Sequence, residues 1–545
     1  MNLDDEKILR SIQKLLETSL KKPFAAEDSI RACDQSLLSL LSVSPEVARE
    51  EAYKKLYEFP YKDVPECWRR LYTESCLWIA LDQVEVALEQ YSEHQEVESS
   101  SSDELMKEQD AKTWEIVEQL DKAIIMTAAP GRRDLIDSIF NLLAGLRSIA
   151  LTDESSTDNS FIDMATPTEP AIKRRKHSHQ IHTNLMTMEH AATHQLVYSA
   201  ASTSPPHLRR PLPSTADLSL RAFQERLEQD HKKNNLQGPL PLIVDGAIDH
   251  WPAFQPAHSW RNPQYLFSKT LGGRRLVPIE IGRSYTDADW SQRIVTFREF
   301  MERYMLHVDP AAFSFPVREG QEDENPSSIG VGYLAQHDLF AQVPSLRADI
   351  AVPDYCYSVP PEAATAGSDA GDAQGGEGDV LVNAWFGPAC TTTPLHTDPH
   401  HNVLAQVVGR KYVRLYGPGQ TPRLYPRGTN ELGIDMSNTS GVDLDEAMEL
   451  LEGWRWDAPS DGESGNGKDG EMASHNIKGG QRSSKDAESN GELRLDDFKA
   501  RFPNFADAEY LEGILSEGQS LFIPKGWWHY VRSLSSSFSV SFWWD

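Results

Sequence analysis

Residues 1–150 carry apolar positions at three- and four-residue spacing. Ile8, Ile12, Leu15 and Leu16 fall along one helical stretch, and Leu135, Ile139, Leu142, Leu143 and Leu146 along another. Between them "CWRRLYTESCLWIALDQVEVALEQY" predicts one long helix with Trp and Tyr anchors. No fixed repeat specifies a named solenoid. The segment reads as a helical interaction domain whose protein partner is not legible. From 151 to 215 Ser, Thr, Pro and His replace that periodicity, which predicts a disordered linker with too little apolar surface to fold alone. After 216 the texture becomes short apolar runs bounded by Gly and Pro, such as "PLIVDGAI", "LVPIEIG", "VLVNAWFG", "NVLAQVVGRKYVRLY", "QSLFIP" and "SSFSVSFWW". Many short strands with few helices predict an antiparallel barrel or jelly roll, so the chain is α+β. Two Gly-, Ser- and Asp-rich stretches, 361–379 and 457–492, interrupt it and read as disordered surface insertions.

Charge narrows the function classes. The 545 residues carry a formal net charge of -29, which argues against direct nucleic-acid binding, because phosphate contacts need clustered Lys and Arg. An acidic chain attracts basic peptides instead. The five cysteines (Cys33, Cys67, Cys76, Cys356, Cys390) are scattered and form no CxxC pair, as expected in a reducing compartment. The N-terminus is charged and amphipathic rather than a signal peptide, and no apolar run is long enough for a bilayer, so no membrane is expected. Against this background Lys173, Arg174, Arg175 and Lys176 stand out, either as a nuclear-import signal or as a solvated basic patch.

Candidate chemistry begins at "PLHTDPHHN". With 17 histidines in the chain, an HxD triplet arises by chance about once, and "HVDP" at 307–310 is a second match. That one follows "FREFMERYML", whose Phe297, Phe300, Met301 and Met305 fit a helix face, so it reads as a structural terminus. His396 and Asp398 instead sit between two strands, where side chains two apart point to one side. A third ligand is offered by His529 in "LFIPKGWWHYV". Two histidines and one carboxylate with open positions make the facial triad of non-haem Fe(II) oxygenases. A closed zinc site would want a fourth ligand, and no Cys is near in sequence.

If Gly409 and Arg410 form a two-residue hairpin, Val408 pairs with Lys411, and Lys411 shares a face with Asn402. An inward lysine is costly unless it meets an anion. A 2-oxo dicarboxylate would chelate iron at one end and reach Lys411 at the other. The alternative is a solvent-facing lysine.

"NAWFGPACTTTPLHTDPHHNVLAQVVGRKYVRLY" with "LFIPKGWWHYVRSLSSSFSVSFWWD" resembles the Jumonji-C 2-oxoglutarate dioxygenases, nearest the branch described as bifunctional peptidase and arginyl hydroxylase, also called a lysine-specific demethylase. The likeness covers most of 216–545 and implies a double-stranded β-helix, cupin-like catalytic domain behind an all-α domain. It also implies Fe(II) on His396, Asp398 and His529, with 2-oxoglutarate and O2 as cosubstrates. Lys411, Tyr333, Thr393 and Asn402 would hold 2-oxoglutarate, and Trp385 would wall its pocket. His400 and His401 stand where that branch has polar amides and read as solvated. The strand "LVPIEIG" puts Val277, Ile279 and Ile281 on one face and Glu280 on the other. Glu280 is either a solvent-facing carboxylate or, as the resemblance implies, a substrate contact with Tyr285 and Trp290 as neighbours.

Three functions compete: arginine hydroxylation of a basic protein, demethylation of a histone H3 methyl-lysine, and a non-catalytic scaffold acting through the helical domain. The first is favoured. The expected site of action is nuclear, with the cytoplasm as a second compartment.

Overall fold

The computed structural model describes residues 3–58, 63–95, 102–146, 196–233, 238–282, 285–286, 290–306, 331–361, 380–430, 433–456 and 484–545. His307, the linker through residue 195 with its basic run 173–176, and residues 362–379 and 457–483 of the two insertions lie outside them. The N-terminal region is all-helical: α1 (Leu3–Leu20), α2 (Gln35–Leu40), α3 (Pro45–Leu56), α4 (Glu66–Gln95), α5 (Ser102–Thr127) and α6 (Arg133–Leu143). α1, α4, α5 and α6 meet in a common core of Ile12, Leu16, Leu71, Leu77, Leu120, Ile136 and Ile139; α3 adds Ala48 and Ala52, and α2 packs against it with partly buried leucines. Leu15 falls outside that core and is 36% exposed.

The remainder forms two facing sheets. The larger contains β1 (Ser214–Ala216), β2 (Leu242–Asp245), β3 (Leu276–Ile281), β4 (Ser291–Thr296), β5 (Gly332–His337), β6 (Leu381–Gly387), β8 (His401–Val408), β11 (Gln519–Ile523) and β13 (Ser537–Trp544), in the order β1-β2-β11-β8-β13-β6-β5-β3-β4. The smaller is β10 (Tyr510–Leu515), β9 (Lys411–Tyr416), β12 (Trp528–Ser533) and β7 (Thr392–His396), in that order. This is the cupin-like jelly roll with helices outside. Period-two alternation explains β13. Phe538, Val540, Phe542 and Trp544 pack outward under the helices, while Ser537, Ser539 and Ser541 are fully buried on the opposite face. Leu404, Val413, Leu415, Ile523 and Val531 close the space between the sheets.

The expected Gly409–Arg410 hairpin does not exist. β8 and β9 belong to different sheets, and the chain crosses between them at Gly409. Val408 pairs with Phe538, and Lys411 pairs with Leu515 and Ser533. The crossing needs glycine: φ is +74°, and a Cβ there would lie 2.0 Å from the Ser536 carbonyl oxygen. Gly409→Ala is therefore expected to cost at least about 2 kcal/mol, read as a lowered denaturation midpoint.

Two composition-based boundaries also move. Residues 196–215, read as linker, run along the barrel as a strap. The Thr203 N–H donates to the Leu534 carbonyl (2.8 Å), Leu212 N–H to that of Glu512 (2.7 Å), and β1 pairs in parallel with β2. The buried Glu512 carboxylate accepts the Arg209 N–H at 2.6 Å. These are mainly backbone bonds, which an argument from side-chain composition does not see. The second insertion, expected to be disordered through 492, gives way to a helix at Ser484–Arg501.

Candidate metal centre and cosubstrate pocket

His396 is the last residue of β7 and Asp398 follows just beyond it, while β12 supplies His529 directly opposite His396. The ligand atoms of the three lie within 4.8 Å of one another. His396 Nε2 is 3.6 Å from Asp398 Oδ1, and His529 Nε2 is 3.4 Å from Asp398 Oδ2. Each Nδ1 sits on a backbone carbonyl two residues upstream, Pro394 for His396 (2.8 Å) and Trp527 for His529 (3.0 Å). A carbonyl can only accept, so each Nδ1 carries a proton and each Nε2 is the atom turned toward the carboxylate. Ligating histidines are fixed in this way.

Electrostatics agree with the geometry. Burial, with the neighbouring His529, pushes His396 down to about 4, so it is neutral at pH 7. For Asp398, burial works against the charge, but the facing His529 outweighs it and holds the carboxyl below its usual range, while Asp398 in turn raises His529 against its own burial. One carboxylate and two imidazole nitrogens converge with no Lys or Arg ion pair recorded for Asp398 among the described residues. That donor set fits a divalent first-row metal.

The pocket beside it is built on an inward lysine. Lys411, 1% exposed, donates to the Tyr333 hydroxyl at 3.3 Å. No carboxylate neutralises it among the described residues, and burial alone pushes it down to about 7. Tyr333 is buried and bonded by Thr393, and its ring centre is 6.2 Å from that of Trp385. Gly387 makes room for it, since a Cβ there would meet the Tyr333 ring at 2.6 Å. The Trp385 indole donates to Ser541 (2.9 Å). Asn402 is buried, and its Oδ1 has no hydrogen-bond partner among the described residues. A buried lysine without a carboxylate partner and an orphaned buried amide oxygen, both among the described residues, fit an anionic, hydrogen-bonding ligand.

Binding a carboxylate there restores the lysine's charge, so binding takes up a proton above pH 7. Affinity for a carboxylate ligand at Lys411 is expected to be full below pH 7 and to fall about tenfold per unit above it, until the lysine's value in the complex is reached. A dissociation constant unchanged from pH 6 to 9 would contradict this.

The three substrate candidates lie near one another, beside Tyr333. Glu280 on β3 faces Tyr333 on β5 in register. Burial raises its carboxyl above the usual range, and the Trp290 indole opposes this without a well-formed hydrogen bond. Tyr285 reaches Thr439 (3.4 Å) and feels the charges of Asp398, Glu280 and Arg427.

Two groups of residues went unnoticed in the sequence. One is the segment carrying Arg427, Asn438 and Thr439. Thr439 bridges to His396, and the Asn438 carbonyl accepts the Thr397 N–H at 2.8 Å. Only contact across the fold reveals it. The other is the inward serine row of β13, which the alternation in "SSFSVSFWW" contained. His400 and His401, read as solvated, are corrected. His400 pairs with Asp545 at 2.8 Å. His401 is buried, accepts the Lys525 N–H at 3.1 Å and is pushed down to about 4, chiefly by burial. They join the loop of Asp398 to the loop before His529, where the Gly526 N–H also meets the Asp398 carbonyl (3.3 Å).

The cupin-like domain family matches residues 228–545. The zebrafish (Danio rerio) protein named lysine-specific demethylase 8 is 31% identical over 542 residues, 99% of this chain and 94% of its own. The Arabidopsis thaliana lysine-specific demethylase JMJ30 is 29% identical over 92% of this chain and 85% of its own. The human bifunctional peptidase and (3S)-lysyl hydroxylase JMJD7 is 27% identical over 56% and 77% respectively. With the jelly roll and the histidine–aspartate–histidine convergence already in place, these likenesses are decisive: the chain belongs to the Jumonji-C family of cupin-like, 2-oxoglutarate-dependent dioxygenases.

Proposed function

We propose that the protein is an Fe(II)- and 2-oxoglutarate-dependent hydroxylase of arginine side chains in basic protein segments. The observation that carries the arginine assignment is Glu280, a largely enclosed carboxylate at the barrel opening for which no ion pair is recorded among the described residues. A guanidinium entering there gains a bidentate, charge-assisted contact that a methylated ammonium cannot match geometrically.

Iron(II) held by His396, Asp398 and His529 would, with 2-oxoglutarate and O2, insert one oxygen atom into a C–H bond as the cosubstrate becomes succinate and carbon dioxide. The chain's own residues do the rest. Lys411 and the Tyr333 and Thr393 hydroxyls hold the distal carboxylate, and Asn402 supplies an amide. Trp385 walls the pocket and excludes water. Glu280, flanked by Tyr285 and Trp290, fixes the side chain so that one C–H bond faces the metal.

Demethylation is the second reading, favoured by the names of the zebrafish and Arabidopsis relatives. Hydroxylating an N-methyl carbon yields an unstable carbinolamine that releases formaldehyde. Wild-type enzyme with iron and 2-oxoglutarate should add about 16 Da to an arginine peptide. Formaldehyde from a methyl-lysine H3 peptide, with no oxidised arginine product, would reverse the assignment. A nuclear site of action, with the cytoplasm as a second compartment, and histone-tail substrates belong to the same proposal, as does a protein partner for the helical domain.

A further inference from the structure

Asp121 lies on α5, in the helical region, and is fully buried. Neither the metal centre nor the cosubstrate pocket touches it, yet its two oxygens accept a full set of donors from the barrel side. Arg275 binds it through Nε (2.9 Å) and Nη2 (2.7 Å), the Leu276 N–H donates at 2.7 Å, and Gln342 Nε2 at 2.8 Å. Gln342 continues the network: its amide also donates to the Leu276 carbonyl (2.8 Å), and its Oε1 pairs with His337 Nε2 (2.6 Å). The Arg275 guanidinium lies over Phe140 of α6, 3.7 Å from the ring centre.

The placement matters more than the bond count. Leu276 begins β3 and His337 ends β5. Those two strands carry Glu280 and Tyr333, which face each other in register. One carboxylate from the helical region thus ties together the ends of both strands that line the barrel opening. Glu280 is about 13 Å along β3 from the tie, at roughly 3.3 Å per residue. A hydrogen-bonded strand transmits a tilt or a slip over that distance. A buried acid is tolerated because every lone pair is met.

We propose that Asp121 is a positioning residue for substrate recognition. Through it the helical region sets the β3–β5 edge that presents Glu280, so this region is part of the substrate site and not only a platform for partners. The inference rests on Glu280 contacting substrate.

Its test uses the full chain, an arginine-containing basic peptide, and the variants Asp121→Asn, Glu280→Ala and the double. Asp121→Asn should raise the peptide KM about five- to twentyfold while peptide-independent 2-oxoglutarate turnover stays within about twofold. In the Glu280→Ala background it should raise KM no further, because the contact it positions is already gone. Glu74→Gln removes another buried carboxylate of the helical region, one bound to Arg70 and Arg132. It should lower the melting temperature without moving the peptide KM. Should Asp121→Asn fold poorly, Gln342→Met severs the same network and should raise KM about two- to fivefold. A KM unmoved by either network variant, or an effect that adds in full to that of Glu280→Ala, overturns the inference alone. Unchanged peptide kinetics in Glu280→Ala overturns it together with the arginine reading.

Discussion

Replacing Asp398 by alanine is expected to reduce 2-oxoglutarate turnover by at least about 10³-fold while the protein stays folded. Loss of a residue that only supports a ligand typically costs 10- to 100-fold, and a direct ligand should cost more. The carboxylate faces both His396 and His529, and neither histidine's Nδ1 bond to the chain involves it. Its removal therefore empties the donor set but does not unlock the strands. Two controls make the reading specific. Asp398→Asn retains shape but loses the charge that a divalent metal requires, and should be nearly as inactive. Thermal unfolding of both should stay within a few degrees of wild type. Turnover near the wild-type rate in either variant would remove the metal assignment.

The second large effect concerns substrate choice. Glu280→Ala is expected to lower kcat/KM for an arginine peptide about thirty- to a thousandfold, which is roughly 2 to 4 kcal/mol for a charge-assisted contact in a desolvated site. The dissociation constant for 2-oxoglutarate should move much less, because in the proposed reading Lys411 and not Glu280 supplies its countercharge. Glu280→Gln is the sharper variant: burial already raises this carboxyl, so the amide is well accommodated and only the attraction for a cation is lost. If both variants hydroxylate arginine as well as wild type, Glu280 is a rim residue and methyl-lysine becomes the leading substrate.

The relation between sequence and structure differs from one element to the next. Alternation placed Glu280 opposite Val277 and Ile279, and the structure keeps it there, because a strand with one packed face has no freedom to slip by one residue. The inward direction of Lys411 was legible for the wrong reason. The expected hairpin is a crossing between sheets, and a local turn rule cannot distinguish the two when both need glycine at positive φ. Lys411 still points inward, since the first residue of β9 shares its face with Val413 and Leu415. Contacts made across long stretches of chain were not legible at all. Asp121 looks like any polar residue on a helix, and only the fold brings Arg275, Leu276 and Gln342 to it. The strap at 196–215 was hidden because main-chain bonds hold it, and composition does not register them.

The most direct test supplies the enzyme with Fe(II), 2-oxoglutarate and ¹⁸O₂ in the presence of an arginine-containing basic peptide, and weighs the product. The account predicts a peptide about 18 Da heavier, the label on arginine, with one succinate formed per hydroxylated residue and none of it in Asp398→Ala. An unlabelled peptide, or loss of methyl groups from a lysine peptide with no oxygen gained on arginine, would contradict it.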